Sequence, residues 1–391
     1  VNGDRAFIRA RQAWLPTGLT PDVTVEFEGR HIVDVRPARA GDGTALDGLV
    51  LPGLINAHTH VELSHVSLGP QPEGFLGWLG DLMRRPPPTD REAALRAGAE
   101  ELASAGAAWV GDVSNLGDTA AALAAAGLSG VVHHELLGFD RAALPARLAQ
   151  VAARDGQRAT PFTTRPAPHA LFSTHPELVR AALRAGPADL PASLHVGESE
   201  HEAQLLLTGD GPHAELLDRL GRDWRWWTAP GCSPLTWLDH LGVLGPGVLL
   251  VHGVRLSPED RQLAAARGAR LCVCARSNLH IGGLLPDVAA WLRAGVPVCL
   301  GTDSRASSPD LDLLGEFPAL AAGCPDVAPE IWLALATHAG ARAAGAIGFG
   351  AITPGAAPGL LHLPGVTSPS ALLRGAPGER RWLVRPSTGG L

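Results

Sequence analysis

The stretch Leu51-Pro52-Gly53-Leu54-Ile55-Asn56-Ala57-His58-Thr59-His60 carries an apolar segment of strand length into two histidines separated by a single residue. Alternate residues of an extended chain share a face, so both imidazoles point into the same space and one metal ion can take both. Alone, a His-x-His pair is a weak signal, since two solvated turn residues have the same spelling. Its weight depends on what lies along the rest of the chain.

Apolar runs of similar length recur as far as residue 304, each followed by a polar turn and a helical pattern rich in Ala, Leu and Arg. We read 54–58, 107–112, 130–136, 165–171, 192–198, 248–254, 270–274 and 297–302 as strands, with helical periodicity over 91–105, 118–126, 176–185 and 331–344. Continuous apolar strands alternating with helices imply a parallel sheet covered by helices. That number of units predicts an α/β fold, a closed (β/α)8 TIM-like barrel, over residues 51–349. The flanks differ. Residues 1–50 alternate apolar and polar positions (Val23, Val25, Phe27, then Ile32, Val33, Val35), and a Gly/Pro-punctuated tail carries one short apolar segment at 360–363. Residues 1–50 and 350–391 are expected to form one small β-sandwich domain outside the barrel.

The ends of the predicted strands carry the chemistry. His195-Val196-Gly197-Glu198 sets an imidazole and a carboxylate over one opening, His252 ends the run Val248–His252, and Asp303 follows Pro297–Thr302. A lone histidine after an apolar run is more often a hydrogen-bonded core residue than a ligand. Polar residues gathered at several strand ends of one barrel reverse that expectation, because the C-terminal face of such a barrel is where active sites are built.

Composition removes other classes. With 46% hydrophobic and 18% charged residues and a net charge of −7, the chain reads as an ordinary globular protein with no basic field for nucleic acid. Residues 1–10 carry charges and no uninterrupted apolar segment, so neither a signal peptide nor a membrane anchor is expected and a cytoplasmic location follows. The five cysteines are few and odd in number, which argues against a disulfide framework. There is no tyrosine and no lysine; every permanent cation is an arginine. His134-Glu135-Leu136-Leu137-Gly138 and His201-Glu202-Ala203-Gln204-Leu205 begin like the zincin motif but lack its second histidine.

Pro52 to His60, Gly301-Thr302-Asp303-Ser304 and Cys274-Ala275-Arg276-Ser277-Asn278 together resemble the amidohydrolase superfamily, specifically its first-, eighth- and seventh-strand signatures. The likeness extends over nearly the whole chain. It departs from the pattern at Ala275, where proline is usual, and at Pro358-Gly359, where an Ala-Asp pair is usual. The resemblance implies one divalent metal, probable zinc with iron or manganese as alternatives, held by His58, His60, His195 and Asp303. It further implies that Glu198 protonates a substrate ring nitrogen, that Asp303 moves the water's proton, and that His252 orients the water. Binuclear members commonly use a carboxylated lysine bridge, which this chain has no residue to form, so a mononuclear site is expected.

Within the superfamily the chain is similar to the branch that deaminates adenosine and S-adenosylhomocysteine, particularly to aminodeoxyfutalosine deaminases of menaquinone synthesis. Ala57 to Ser64, Ala167-Pro168-His169 and a Trp-rich insert at 224–232 carry this likeness. It implies a small nucleoside-like substrate, with Glu62, Trp78 and His169 near it, and a role for an arginine against a substrate carboxylate. Arg84, Arg85, Arg165 and Arg305 are the candidates by their nearness to predicted strand-end loops. Other readings remain open: deamination of S-adenosylhomocysteine, guanine or cytosine, a chlorohydrolase, or a non-catalytic metal-binding barrel. Homo-oligomerisation is left open as well.

Overall fold

The computed structural model describes residues 5–155 and 158–387, so the outermost parts of both predicted terminal segments lie outside the described residues. Four strands open the chain: β1 (Arg5–Leu15), β2 (Gly18–Glu28), β3 (His31–Pro37) and β4 (Leu46–Pro52). Eight more follow, namely β5 (Leu54–Thr59), β6 (Ala107–Ser114), β7 (Ser129–Leu136), β8 (Phe162–Pro168), β9 (Ala192–Val196), β10 (Val248–His252), β11 (Arg270–Val273) and β12 (Val298–Leu300). The chain closes with β13 (Leu360–Leu363) and β14 (Arg381–Val384).

Strands β5 to β12 match the predicted ones, with helices between them. They form two four-stranded parallel sheets, β5-β6-β7-β8 and β9-β10-β11-β12. The sheets are linked at both edges by isolated parallel bridges, Thr59 to Asp303 and Ala170 to His195. Every residue of β5, β6, β9 and β10 is buried. Burial on both faces is what turns these strands into continuous apolar runs rather than alternating ones. Close packing where β12 meets β5 has a sequence signature at Gly301, where a Cβ would stand 2.7 Å from the His58 carbonyl oxygen. That gap lets the end of β12 lie against β5, and the Thr302 and Asp303 amides both donate to that carbonyl at 3.1 Å.

Three expectations need correction. The fourth strand starts at Phe162 and ends at Pro168, three residues earlier than read, because Thr163 and Thr164 pair with Val131 and Val132 and belong to the strand despite their polarity. The helix expected over 331–344 is two helices, Pro329–Leu335 and His338–Ala344. They break at Thr337, whose hydroxyl donates to Leu333 O at 2.6 Å and accepts from Trp14 Nε1 at 3.0 Å. Finally, the two chain ends meet in one six-stranded sheet, β14-β13-β4-β1-β2-β3, where a sandwich of two sheets was expected. Here β4 is the joint, parallel to β1 on one side and antiparallel to β13 on the other, and two residues past its end at Pro52 the chain enters β5 at Leu54.

Candidate metal centre and cleft

Thr59 is the last residue of β5, so His58 and His60 straddle the point where that strand ends. Three Nε2 atoms converge there: His58 lies 3.2 Å from His60 and 3.2 Å from His195. Asp303 Oδ1 completes the group at 3.5 Å from His60 Nε2 and 3.7 Å from His58 Nε2. All four residues are buried. Zinc held tetrahedrally by bonds of about 2.0–2.1 Å places its donors roughly 3.3 Å apart, so this spacing fits one ion.

The surrounding hydrogen bonds leave the right lone pairs free. His195 Nδ1 meets the His169 carbonyl at 3.0 Å, which places the ring's proton there and turns the Nε2 lone pair inward. His58 Nδ1 meets Ser193 Oγ at 3.3 Å. The Asp303 carboxylate uses Oδ2 to accept from Ser277 at 2.6 Å and Ser307 at 2.8 Å, leaving Oδ1 for the centre. Burial, reinforced by the neighbouring imidazoles, holds His58 and His195 far below the usual histidine range, so they are neutral donors. Burial alone would raise Asp303, yet the imidazoles of His60 and His252 and the two serine hydroxyls hold it below its ordinary range.

Glu198 and His252 stand beside this group. His252 Nε2 is 3.5 Å from Glu198 Oε1, and His252 Nδ1 receives the Asn278 amide at 2.9 Å. Burial, with Asp303 and Glu202 adding repulsion, pushes the Glu198 carboxyl well above its ordinary range. Such a shift favours the protonated form of the acid. His252 (φ 74°) and Asp303 (φ 59°) sit in the left-handed backbone region, a conformation that side chains with a Cβ adopt at a cost. Both are held there at the site itself.

The group forms the floor of a cleft of about 480 Å³. Apolar residues of the helix Gly74–Arg84 (Phe75, Trp78, Leu79, Leu82) and of the helix Pro212–Arg219 (Leu216, Leu217) make its walls. Trp78, Glu62 and His169 line it, as the sequence suggested. His169 Nδ1 is 2.5 Å from Ser173 Oγ. The Trp-rich insert stands behind rather than in it: Trp226 stacks on His175 and Trp227 packs on Phe139, a residue that does line the cleft.

The proposed arginines are not where substrate would be. Arg165 is 2% exposed and donates to Ala185 O at 2.5 Å, away from the cleft. Arg305 is spent on Glu101, at 2.9 Å and 3.0 Å. Neither lines the cleft, and nor do Arg84, paired with Asp81, or Arg85. The cleft arginines are Arg147, from the helix Leu144–Ala152, and Arg222, which lies 3.6 Å from Asp140. Sequence reading missed them because a helix and a loop give no strand-end signal. It also missed Asp112, although the strand read over 107–112 ends on it. That buried carboxylate on β6 accepts from Val61 N at 2.8 Å and from the Thr119 hydroxyl, and so pins the turn that follows His60.

Residues 49–367 match the profile of the amidohydrolase family. The aminodeoxyfutalosine deaminase of Deinococcus radiodurans is 31% identical over 317 residues, which is 76% of this chain and 73% of that protein. Among solved structures, Helicobacter pylori aminofutalosine deaminase in complex with methylthio-coformycin superposes with a TM-score of 0.80 at 22% identity, covering 94% of this chain and 95% of that one. An adenosine deaminase from Xanthomonas campestris with bound zinc gives a TM-score of 0.75 at 22% identity over 95% and 89% of the two chains. The latter two are likenesses of fold. Among the described residues no helix is long and apolar enough to cross a membrane.

Proposed function

This chain belongs to the amidohydrolase family, and from that premise we propose that it is a hydrolytic deaminase of an adenine nucleoside, using one divalent metal and releasing ammonia. The observation that carries this reading is the convergence of four metal donors with Glu198 and His252 on the floor of a nucleoside-sized cleft. In the same reading the two bridged parallel sheets are staves of one (β/α)8 barrel spanning 51–349. The six-stranded sheet from both chain ends is a separate small domain of 1–50 and 350–391.

His58, His60, His195 and Asp303 would hold the ion, and zinc suits this histidine and carboxylate set. When bound, such an ion supplies nucleophilic water at neutral pH by lowering its pKa to about 7. The remaining work falls to side chains. Glu198 holds a proton on its raised carboxyl and delivers it to a ring nitrogen of the base, which makes the carbon bearing the amine electrophilic. His252, its ring fixed by Asn278, orients the attacking oxygen. Asp303 takes up the proton released there and returns it to the departing amine. Each positioned proton-transfer group contributes on the order of 10² to 10⁴ in rate.

The specific substrate we propose is aminodeoxyfutalosine. The 31% identity to a deaminase so named favours it, and so does the cleft's own chemistry. Its apolar walls suit an aromatic extension beyond the sugar, and Arg147 and Arg222 offer a carboxylate partner. The test is steady-state ammonia release from aminodeoxyfutalosine, S-adenosylhomocysteine and adenosine. The highest kcat/KM should belong to the first. Higher kcat/KM for either of the others would move the assignment to that nucleoside, and no ammonia from any would remove the deaminase reading.

A further inference from the structure

Of the cleft carboxyls that the mechanism does not use, Glu62, Glu135 and Asp140, one has a buried oxygen without a partner. Glu135, the next-to-last residue of β7, is 5% exposed and lines the cleft floor beside His169 and His195. Its Oε1 has no hydrogen-bond partner. His195 Nδ1 stands 3.5 Å from it, but that ring's proton is engaged by the His169 carbonyl at 3.0 Å. A buried acceptor without a donor is costly, on the order of 1–3 kcal/mol, so natural sites keep one only where something else completes it.

Glu62 makes the contrast. It lines the same cleft, yet its oxygens already receive Asn115 Nδ2 at 2.7 Å, Asn115 N at 3.1 Å and Ser114 Oγ at 3.0 Å. Three protein donors nearly fill the roughly four lone-pair sites of a carboxylate. Asn115 also bears on Glu135, so the two carboxyls are neighbours in one corner. That corner is rich in acceptors, and His169, whose Nδ1 is occupied by Ser173, stands at its edge. What it lacks is a donor for Glu135 Oε1.

We propose that Glu135 is a specificity-determining residue that accepts a hydrogen bond from a hydroxyl of the substrate's ribose, with Glu62 as the fixed wall of a subsite for a vicinal diol. The inference rests on the nucleoside reading above and deepens it. The depth of Glu135 fits the same assignment, since it sits one histidine away from the metal donors while Arg147 and Arg222 are left for whatever extends past the sugar.

The test compares kcat/KM for adenosine, 2′-deoxyadenosine and 3′-deoxyadenosine in wild type, Glu135→Gln and Glu135→Met, with metal content and melting temperature measured in each. Wild type should prefer adenosine over at least one deoxy analogue by about 10- to 100-fold, the cost of leaving a buried acceptor unpaired. In Glu135→Met the preference should shrink to about twofold by loss of adenosine turnover alone, with Glu135→Gln between the two, and with metal content unchanged. Equal treatment of all three by wild type overturns the inference. So does a variant in which all three fall by one factor, which would make Glu135 a positioning residue for His195. If wild type releases ammonia from neither these three nor aminodeoxyfutalosine, the nucleoside reading falls and the subsite with it.

Discussion

Glu198 and Asp303 are both buried carboxyls at the same centre, yet their surroundings push them in opposite directions. Such divergence assigns roles: the group that keeps its proton donates, and the one held ionised binds metal and accepts. Glu198→Gln should therefore retain one metal per chain while losing about 10² to 10⁴ in kcat/KM, read by metal analysis beside steady-state ammonia release. Ser277→Ala tests the opposite arm. It removes one of the two hydroxyls that hold Asp303 Oδ2, and metal affinity in a chelator competition should fall by about 10-fold or more. At this scale the sequence was informative where a polar residue terminates an apolar run, as His58, His195, His252 and Asp303 do. Glu135 offered the same signal at the end of β7, but it reads there as part of an incomplete zincin motif, and its missing hydrogen bond exists only in three dimensions.

Between residue and fold, the turns that follow strands decide whether those side chains converge. The turn after β5 is held from the neighbouring strand by Asp112, whose carboxyl burial pushes up to about 7 and whose bonds to Val61 N and Thr119 oppose that rise. Removing it leaves a buried amide unpaired, so Asp112→Ala should cost about 1–3 kcal/mol in chemical denaturation and loosen metal binding through His60. After β9, Gly197 (φ +62°) makes a turn that other residues resist, and its amide donates to the buried Glu202 at 2.5 Å. Strand positions were readable because burial on both faces writes an unbroken apolar run, whereas the start of β8 was obscured by threonines and prolines. The helix Gly74–Arg84 carries apolar residues at helical spacing, Phe75, Trp78, Leu79 and Leu82, but buries only Phe75, because that face walls the cleft.

The molecule as a whole joins segments that are far apart in sequence: both chain ends in one sheet, and a cleft assembled from residues 60 to 304. Substrate selection belongs to this scale, which is why the arginines expected from strand-end position, Arg165 and Arg305, gave way to Arg147 and Arg222. Replacing either of the latter by methionine should reduce kcat/KM for aminodeoxyfutalosine by about 10-fold or more and leave adenosine within about twofold, as measured by parallel steady-state assays. The absence of lysine sets the metal count that the proposed chemistry uses, because the common two-metal bridge has no residue to build it. The most direct test of the whole account is to titrate zinc into chelator-stripped protein while following ammonia release from aminodeoxyfutalosine. Activity should rise linearly and break at one equivalent per chain; ammonia release without metal, a break at two equivalents, or no release at any loading would contradict it.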